Sequence, residues 1–310
     1  LFLFFAACQM EDEAADPNVI EVMATHNPET GEHLFDLSSA ETGYGWTTFR
    51  FVNASPDVHF AVLAKLPDDE GQYDSPVTFQ EWLTNVTNPF QEGMNNIIDP
   101  EIEGDAVFAP FADLPDWFED VEHSGGPGFT APGRTVETTV YLEPGTYVME
   151  CYVKNEKEEF HSYLGMIEEI TVTDEPSNAP EPEADFEMTL SSTNGIEIDD
   201  RITPGTHTIA VHFEDQKIYE HMIGHDVHLV QLEGTEVTEV ARWLNWMIPG
   251  ELVSPSPGTF LGGTQTSAAG RTAYFTVDLE PGHYAWISEV PANNEMWKTF
   301  EVSQEDGAGY

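Results

Sequence analysis

Basic residues are scarce in this 310-residue sequence, which has 10 Lys and Arg against 57 Asp and Glu and a formal net charge of −47. A surface this acidic repels phosphate backbones and anionic lipid headgroups, so we expect no nucleic-acid partner. Acidity spread along the whole chain is typical of halophilic proteins, where salt screens the self-repulsion. A dedicated cation-binding surface is the alternative.

Long apolar runs are also missing. Leu1 to Ala7 supply seven apolar residues, whereas a helix that crosses a bilayer needs about 20. Ala6-Ala7-Cys8, followed at once by acidic residues, is similar to the signal-peptide junction of bacterial lipoproteins, where the cysteine is lipidated. The resemblance implies an exported protein, lipid-anchored to the cell envelope through Cys8 on its periplasmic or cell-surface side, with residues 9–16 as a tether.

Cysteine is almost absent: beside Cys8 the chain has only Cys151. If Cys8 carries lipid, Cys151 has no partner for a disulfide. An unpaired thiol in an exported protein is either a small buried apolar side chain or a metal ligand. The sequence has no Gly-x-Ser-x-Gly, phosphate-loop or His-Glu-x-x-His motif, so no common hydrolase or nucleotide-binding pattern competes with these readings.

An internal repeat organises the chain. Gly125-Gly126, Gly133-Arg134-Thr135 and Leu142-Glu143-Pro144-Gly145 each recur 137 positions later, with first residues Gly262, Gly270 and Leu279. A register kept without a gap indicates two copies of one unit. Upstream, Asp57-Val58-His59 matches Asp226-Val227-His228. The first copy carries about 32 extra residues, which we place within residues 88–123.

A Pro-rich acidic stretch separates the copies. Residues 174–185 have repeated Pro and no apolar periodicity, which predicts an extended linker. The chain therefore divides into a first domain over 17–173, a linker over 174–187, a second domain over 188–303 and a tail over 304–310. We expect proteases to cut the linker and each domain to unfold by itself.

Short alternating apolar runs between turn residues predict antiparallel strands in both copies. Short helices are predicted only for Phe79 to Val86 and Val237 to Met247. Two all-β sandwiches follow. The predicted strands are 46–52, 58–66, 135–142, 146–153 and 167–173 in the first copy and 206–213, 227–232, 272–279, 283–290 and 299–303 in the second.

Cys151 stands in a segment suited to a metal. A strand that begins after Pro144 delivers the thiol at its end, and the next loop supplies His161 and Met166. His59 begins an earlier apolar run. A thiolate, two imidazoles and a thioether are the donors of electron-transfer copper sites. The alternative is a packed core cysteine with histidine and methionine at accidental spacing.

These residues resemble the copper site of the cupredoxins, a family of Greek-key β-sandwich proteins. The resemblance implies two tandem cupredoxin-like domains and one type 1 copper ion in the first, with His59, Cys151, His161 and Met166 as ligands. The spacing Cys-x9-His-x4-Met is similar to that in the first domain of copper nitrite reductases, Cys-x8-His-x4-Met. Those enzymes have a catalytic-copper histidine before the cysteine, where this chain has Glu150, which argues against a second, catalytic copper.

The second copy has Ser288 in place of Cys151 and no His-x4-Met after it, so it cannot form the same site. Its histidines His221, His225 and His228 could together bind zinc or copper. The alternative is that they are ordinary loop and edge-strand residues.

We interpret the chain as an exported, membrane-anchored type 1 copper protein that transfers electrons or holds copper, with an unidentified redox partner protein. One alternative is a non-metal binding or scaffold module that keeps the fold and uses its loops and inserted segment for a protein or glycan partner. A third is a redox enzyme similar to nitrite reductase.

Overall fold

The computed structural model describes residues 18–68, 73, 75–199, 201–289, 291–292 and 295–303. Cys8, the acidic tether and the tail over 304–310 lie outside these residues, so the predicted lipidation stays a prediction. Within the described ranges, no helix is both long enough and apolar enough to cross a membrane.

The first repeat is built from two sheets. One strand, β3 (Glu41–Asn53), belongs to both, because its first residues run parallel to β8 (Ile167–Pro176) and its later residues pair antiparallel with β6 (Thr135–Leu142). One sheet consists of β2 (His33–Leu37), β1 (Val19–His26), β3 (Glu41–Asn53) and β6 (Thr135–Leu142), and the other of β8 (Ile167–Pro176), β7 (Gly145–Glu150), β4 (Val62–Lys65) and β5 (Glu122–His123), each in that spatial order.

The second repeat has the same arrangement, which confirms the predicted all-β architecture of two sandwiches. Its strands β14 (Thr272–Leu279) and β15 (Gly282–Ile287) begin and end at positions equivalent to those of β6 and β7, so the sequence repeat is a structural repeat. One sheet consists of β10 (Gly195–Ile198), β9 (Phe186–Ser191), β11 (Gly205–Phe213) and β14 (Thr272–Leu279), and the other of β13 (Thr259–Thr264), β12 (Val227–Gln231), β15 (Gly282–Ile287) and β16 (Trp297–Val302).

The repeated glycines mark a close approach of two backbone segments. A Cβ atom on Gly126 would lie 2.2 Å from the carbonyl oxygen of Ala61, and one on Gly263 would lie 2.1 Å from that of Val227. Both glycines also have positive φ angles, which L-residues with a side chain rarely adopt. The Gly-Gly pair therefore recurs because the same crossing occurs in each sandwich.

The two sandwiches are joined edge to edge. β6 pairs antiparallel with β14, and Thr138 lies opposite Phe275, its own equivalent in the repeat. Pro127 likewise pairs with its equivalent Thr264, so the junction follows a local two-fold axis. One cluster of buried apolar side chains continues through both repeats. A shared sheet and core favour unfolding of the two halves in one step, and the expectation that each half unfolds by itself stays to be tested.

The extra residues of the first repeat form short helices, and both predicted helices are present. In the first, the Thr78 hydroxyl accepts a hydrogen bond from the backbone N–H of Glu81, whose carboxylate accepts from the backbone of Thr78. The helices are α1 (Phe79–Trp82), which continues through a π-helical turn (Leu83–Thr87) into α2 (Asn88–Ile98), then α3 (Ala109–Ala112), and α4 (Val237–Trp243) in the second repeat.

Candidate metal centre

Two strand ends bring the predicted ligands together. β7 ends at Glu150, and the next residue, Cys151, is fully buried. Its backbone N–H donates to the carbonyl oxygen of Met166 over 3.2 Å, which places these two residues side by side. β3 ends at Asn53, and the chain after it leads to His59, which exchanges two backbone hydrogen bonds with Thr130.

Asn53 holds the loop that carries His59. Its buried amide group donates to the carbonyl oxygens of Asp57 and Thr130, each over 2.8 Å, and its Oδ1 accepts from the backbone N–H of Ser55. The Ser55 hydroxyl lies 2.9 Å from Nε2 of His59. A hydrogen bond donated by Nε2 to Ser55 leaves the lone pair of His59 on Nδ1.

Nδ1 of His59 is central to the donor set. It lies 3.6 Å from Sγ of Cys151 and 3.2 Å from Nδ1 of His161. Metal bonds of about 2.0 to 2.3 Å to nitrogen and sulfur require donors roughly 3 to 4 Å apart. Both separations from His59 Nδ1 are therefore of the size that donors of one metal ion require. Met166, the predicted axial ligand, is fully buried.

The loop between Cys151 and His161 is fixed at both ends. The backbone N–H of His161 donates to the carbonyl oxygen of Val153, and the carbonyl oxygen of His161 accepts from Met166, each over 2.8 Å. The buried ammonium group of Lys154 donates to the Glu158 carboxylate over 2.5 Å and to the carbonyl oxygen of Ile248 over 3.3 Å. The ligand loop is thus anchored to the second repeat.

Burial sets the protonation states of the donors. The pKa values of His59 and His161 are held well below the usual range, because burial disfavours the imidazolium ion. Both rings are therefore neutral and have a free lone pair. Burial raises the pKa of the Cys151 thiol to about 12, although hydrogen bonds from the backbone of Phe60 and Val153 lower it in part. A metal ion would have to displace this proton.

A third imidazole, which the sequence did not point to, lies against the site. The His33 ring stacks on the His161 ring, with centroids 3.8 Å apart and planes 13° from parallel. One nitrogen each of His33, His59 and His161 lie within 4.8 Å of one another. Alternation in β2 places His33 on the same buried face as Phe35, but no neighbouring motif marked it as a donor.

The donor set fits a type 1 copper site. The donors come from two strand ends, with Cys151 directly after β7 and His59 in the segment after β3. The chain is similar to auracyanin A, a "blue" copper protein from Chloroflexus aurantiacus, with 21% identity, a TM-score of 0.29 and coverage of 51% of this chain and 100% of that chain.

Two further solved structures are similar. The blue copper oxidase from Nitrosomonas europaea has 12% identity, a TM-score of 0.24 and coverage of 95% of this chain and 89% of that chain. A Cu-containing nitrite reductase from Thermus scotoductus has 10% identity, a TM-score of 0.22 and coverage of 94% and 62%. No family model and no curated protein matches the chain. At these scores, the assignment of a metal depends on the donors and not on the likeness.

The equivalent position in the second repeat has a hydroxyl in place of the thiol. The backbone N–H of Ser288 donates to the carbonyl oxygen of Met296 over 3.1 Å, as Cys151 does to Met166. The Ser288 hydroxyl donates to Oδ1 of Asp226 over 2.7 Å. Both repeats therefore keep the same backbone geometry around different chemistry.

His228 and Asp226, which lie near Ser288, are also hydrogen-bonded. Nδ1 of His228 accepts from the backbone N–H of Phe129 over 3.3 Å, so its Nε2 donates to Oδ2 of Asp226 over 3.2 Å. Burial, with Asp226 nearby, raises the pKa of Glu289 well above its usual range. Glu289 therefore keeps its proton, and a hydrogen-bonded acidic network stands where the first repeat has its thiol and imidazoles.

The histidines His221, His225 and His228 do not come together among the described donor groups. His228 instead has a nitrogen within 4.8 Å of the carboxylates of Asp226 and Glu289. His225 is buried, with Nε2 3.0 Å from the hydroxyl of Tyr219.

A cavity lies beside the strand end that carries Cys151 and is lined there by Glu150 and Tyr152. It is bounded by the inserted helices and the second repeat. Oγ1 of Thr87 and Nε2 of Gln265 are buried in its wall without hydrogen-bond partners. Its aromatic walls are formed by Trp82, Phe90, Phe118, Tyr152, Phe160 and Trp246.

Glu150 also lines this cavity, on the side next to Cys151. Burial raises the pKa of its carboxyl group to about 7, although a hydrogen bond from Trp82 Nε1 lowers it in part. At the position where the resemblance to nitrite reductases places a copper-binding histidine, this chain therefore has a partly protonated acid that faces aromatic rings.

Proposed function

We propose that the first repeat binds one copper ion as a type 1 centre and that the protein passes single electrons to and from a partner protein. The position of His59 Nδ1, within 3.6 Å of the Cys151 sulfur and 3.2 Å of His161 Nδ1, carries this proposal. A copper ion held by a thiolate and two imidazoles supplies one-electron redox chemistry.

The surrounding residues suit such a role because they hold the donors in fixed positions. Asn53 and Ser55 orient His59, and the Lys154 anchor fixes the ligand loop. The site is closed to water, since Cys151, His161 and His59 are each at most 1% exposed. A closed site favours electron transfer over bond-making chemistry, which needs room for a substrate.

Redox titration of the copper-loaded full chain tests the electron-transfer part. We expect one reversible one-electron step per chain and no turnover of nitrite. Copper that is bound but cannot be reduced reversibly would leave only a copper-holding role. Steady consumption of nitrite would instead favour a redox enzyme similar to nitrite reductase.

The cavity beside Cys151 supports a second candidate function, the binding of a small aromatic molecule. Aromatic walls favour a planar apolar ligand, and the unpartnered atoms of Thr87 and Gln265 would gain hydrogen bonds from its polar group. A titration with 1-naphthol, followed by tryptophan fluorescence, tests it. We expect saturable quenching, with an affinity for 1-naphthol that is at least about tenfold lower in Gln265→Leu, because this variant loses one hydrogen bond to the ligand. Unsaturable quenching, or quenching equal in the variant, would contradict it.

We also propose that Cys8 anchors the protein to the cell envelope, on the evidence of the Ala6-Ala7-Cys8 junction. Replacement of Cys8 by Ser should release the protein from the membrane fraction of its host. A wild-type chain that is already soluble and unlipidated would contradict the anchor.

A further inference from the structure

Two histidines outside the predicted ligand set face each other across the hairpin of β1 and β2. His26 and His33 are direct antiparallel partners, with ring centroids 4.5 Å apart. Nδ1 of each is buried and has no hydrogen-bond partner. His33 is 3% exposed, so this lone pair is removed from water with nothing to satisfy it.

The Asp57 carboxylate completes a three-donor group with these two rings. One oxygen of Asp57 and one nitrogen each of His26 and His33 lie within 4.8 Å of one another. The backbone that carries this carboxylate is held in place, because the N–H of Asp57 donates to the Ser55 hydroxyl and its carbonyl oxygen accepts from Asn53. The group is therefore pre-formed rather than assembled from mobile side chains.

Access from solvent distinguishes this group from the buried copper donors. His26 and Asp57 are partly exposed, and His33 is buried behind them against His161. An ion can thus arrive from outside and reach His33, whereas His59, Cys151 and His161 lie one layer deeper.

We propose that His26, His33 and Asp57 form a second metal site that takes a divalent ion of the zinc and copper(II) class. Two imidazoles and one carboxylate suit these borderline ions, which in sites with three protein ligands commonly take water as the fourth. The unpartnered Nδ1 atoms of His26 and His33 have no hydrogen bond that an ion would need to break. The site adds a second function to the hairpin and uses no side chain of the predicted copper ligand set.

Metal titrations of the full chain test this proposal, in a buffer with enough salt to screen the acidic surface. In the copper-loaded protein we expect Zn(II) to bind at one further site without changing the visible spectrum. His26→Ala and Asp57→Asn should each weaken this second ion at least about tenfold and leave the copper spectrum intact. His212→Ala, which removes a surface histidine paired with Glu187, is the matched control and should bind Zn(II) normally.

The metal-free chain separates this proposal from the copper proposal. Its Zn(II) binding should include one ion that His26→Ala removes and Cys151→Ser keeps. If that ion binds while no copper spectrum ever forms, the second site holds and the type 1 assignment fails. The second site is overturned if the copper-loaded chain binds no Zn(II). It is also overturned if Zn(II) binds with the same affinity in the wild type, in His26→Ala and in Asp57→Asn.

Discussion

The Tyr152 hydroxyl donates a hydrogen bond to the buried carboxyl group of Glu289 over 2.8 Å. These residues occupy equivalent positions of the repeat, each one residue after the position of Cys151 or Ser288. The two-fold relation between the repeats therefore brings the ends of β7 and β15 into contact. Through this bond the ligand-bearing strand end of the first repeat touches the acidic network of the second.

In Glu289→Gln the free energy of unfolding should fall less steeply with rising pH than in the wild type. Because the pKa of Glu289 is raised in the folded chain, its contribution to stability is complete below the ordinary Glu pKa and is lost as pH rises toward the folded value. Glutamine needs no proton, and its oxygen still accepts from Tyr152. Urea unfolding of both proteins between pH 4 and pH 8 measures the difference.

The exposed Glu301 supplies the control for this measurement. Glu301→Gln should leave the pH dependence as in the wild type. If Glu289→Gln and the wild type change in parallel over the whole range, Glu289 is not held protonated by the fold.

Cleavage of the linker should not separate the two halves. β8 ends at Pro176 and β9 begins at Phe186, so the residues between them are outside the sheets, while β6 and β14 still pair. We expect a chain nicked there to elute as one particle and to unfold in one denaturant transition. Two particles, or two transitions, would show that the junction is weaker than its shared sheet and core indicate.

Much of the sandwich could be predicted because its strands alternate cleanly. In β6, buried Val136, Thr138 and Val140 alternate with more exposed neighbours, and the predicted bounds 135–142 and 272–279 match β6 and β14. The strands β1, β2, β5, β9, β10 and β13 were not predicted. β13 contains Gly262 and Gly263, which weaken the strand pattern although tertiary packing imposes it.

The candidate site was predictable where donors lie near one another in sequence. Cys151, His161 and Met166 share one strand end and loop, so their spacing carried the signal. His33 comes from a separate hairpin and approaches His161 only through the packing of β2, which spacing cannot reveal. The acidic network around Asp226 was missed for the same reason, because Glu289 meets it only in the folded chain.

Asn53→Ala should weaken both the fold and the copper site. The change removes the side chain that donates to the carbonyl oxygen of Asp57 and accepts from the backbone N–H of Ser55, and an unpartnered buried polar group costs about 1 to 3 kcal/mol. Loss of the bond that orients the His59 loop should weaken copper binding about 10- to 100-fold. Denaturant unfolding and competition with a copper chelator measure the two effects.

Asn194→Ala, at an exposed turn of the second repeat, is the control and should change neither quantity appreciably. If Asn53→Ala lowers stability but binds copper as tightly as the wild type, Asn53 does not position His59.

Met166→Leu should move the reduction potential of the bound copper while keeping its colour. The axial thioether is a weak ligand that tunes the potential rather than holding the ion. We expect a shift of at least about 60 mV, which is a tenfold change for a one-electron couple. Met296→Leu, the same change at the equivalent place of the second repeat, should leave the potential unchanged. Equal potentials for Met166→Leu and the wild type would remove Met166 from the ligand set.

The visible absorption spectrum after addition of one equivalent of Cu(II) to the purified chain tests the central claim most directly. A thiolate bound to copper(II) gives an intense visible charge-transfer band, and among the described residues Cys151 supplies the one free thiol. We expect the band to saturate at one copper per chain, to disappear in Cys151→Ser and to weaken or shift in His59→Ala and His161→Ala. No band in the wild type, or the same band after Cys151 is replaced, would contradict a type 1 copper site.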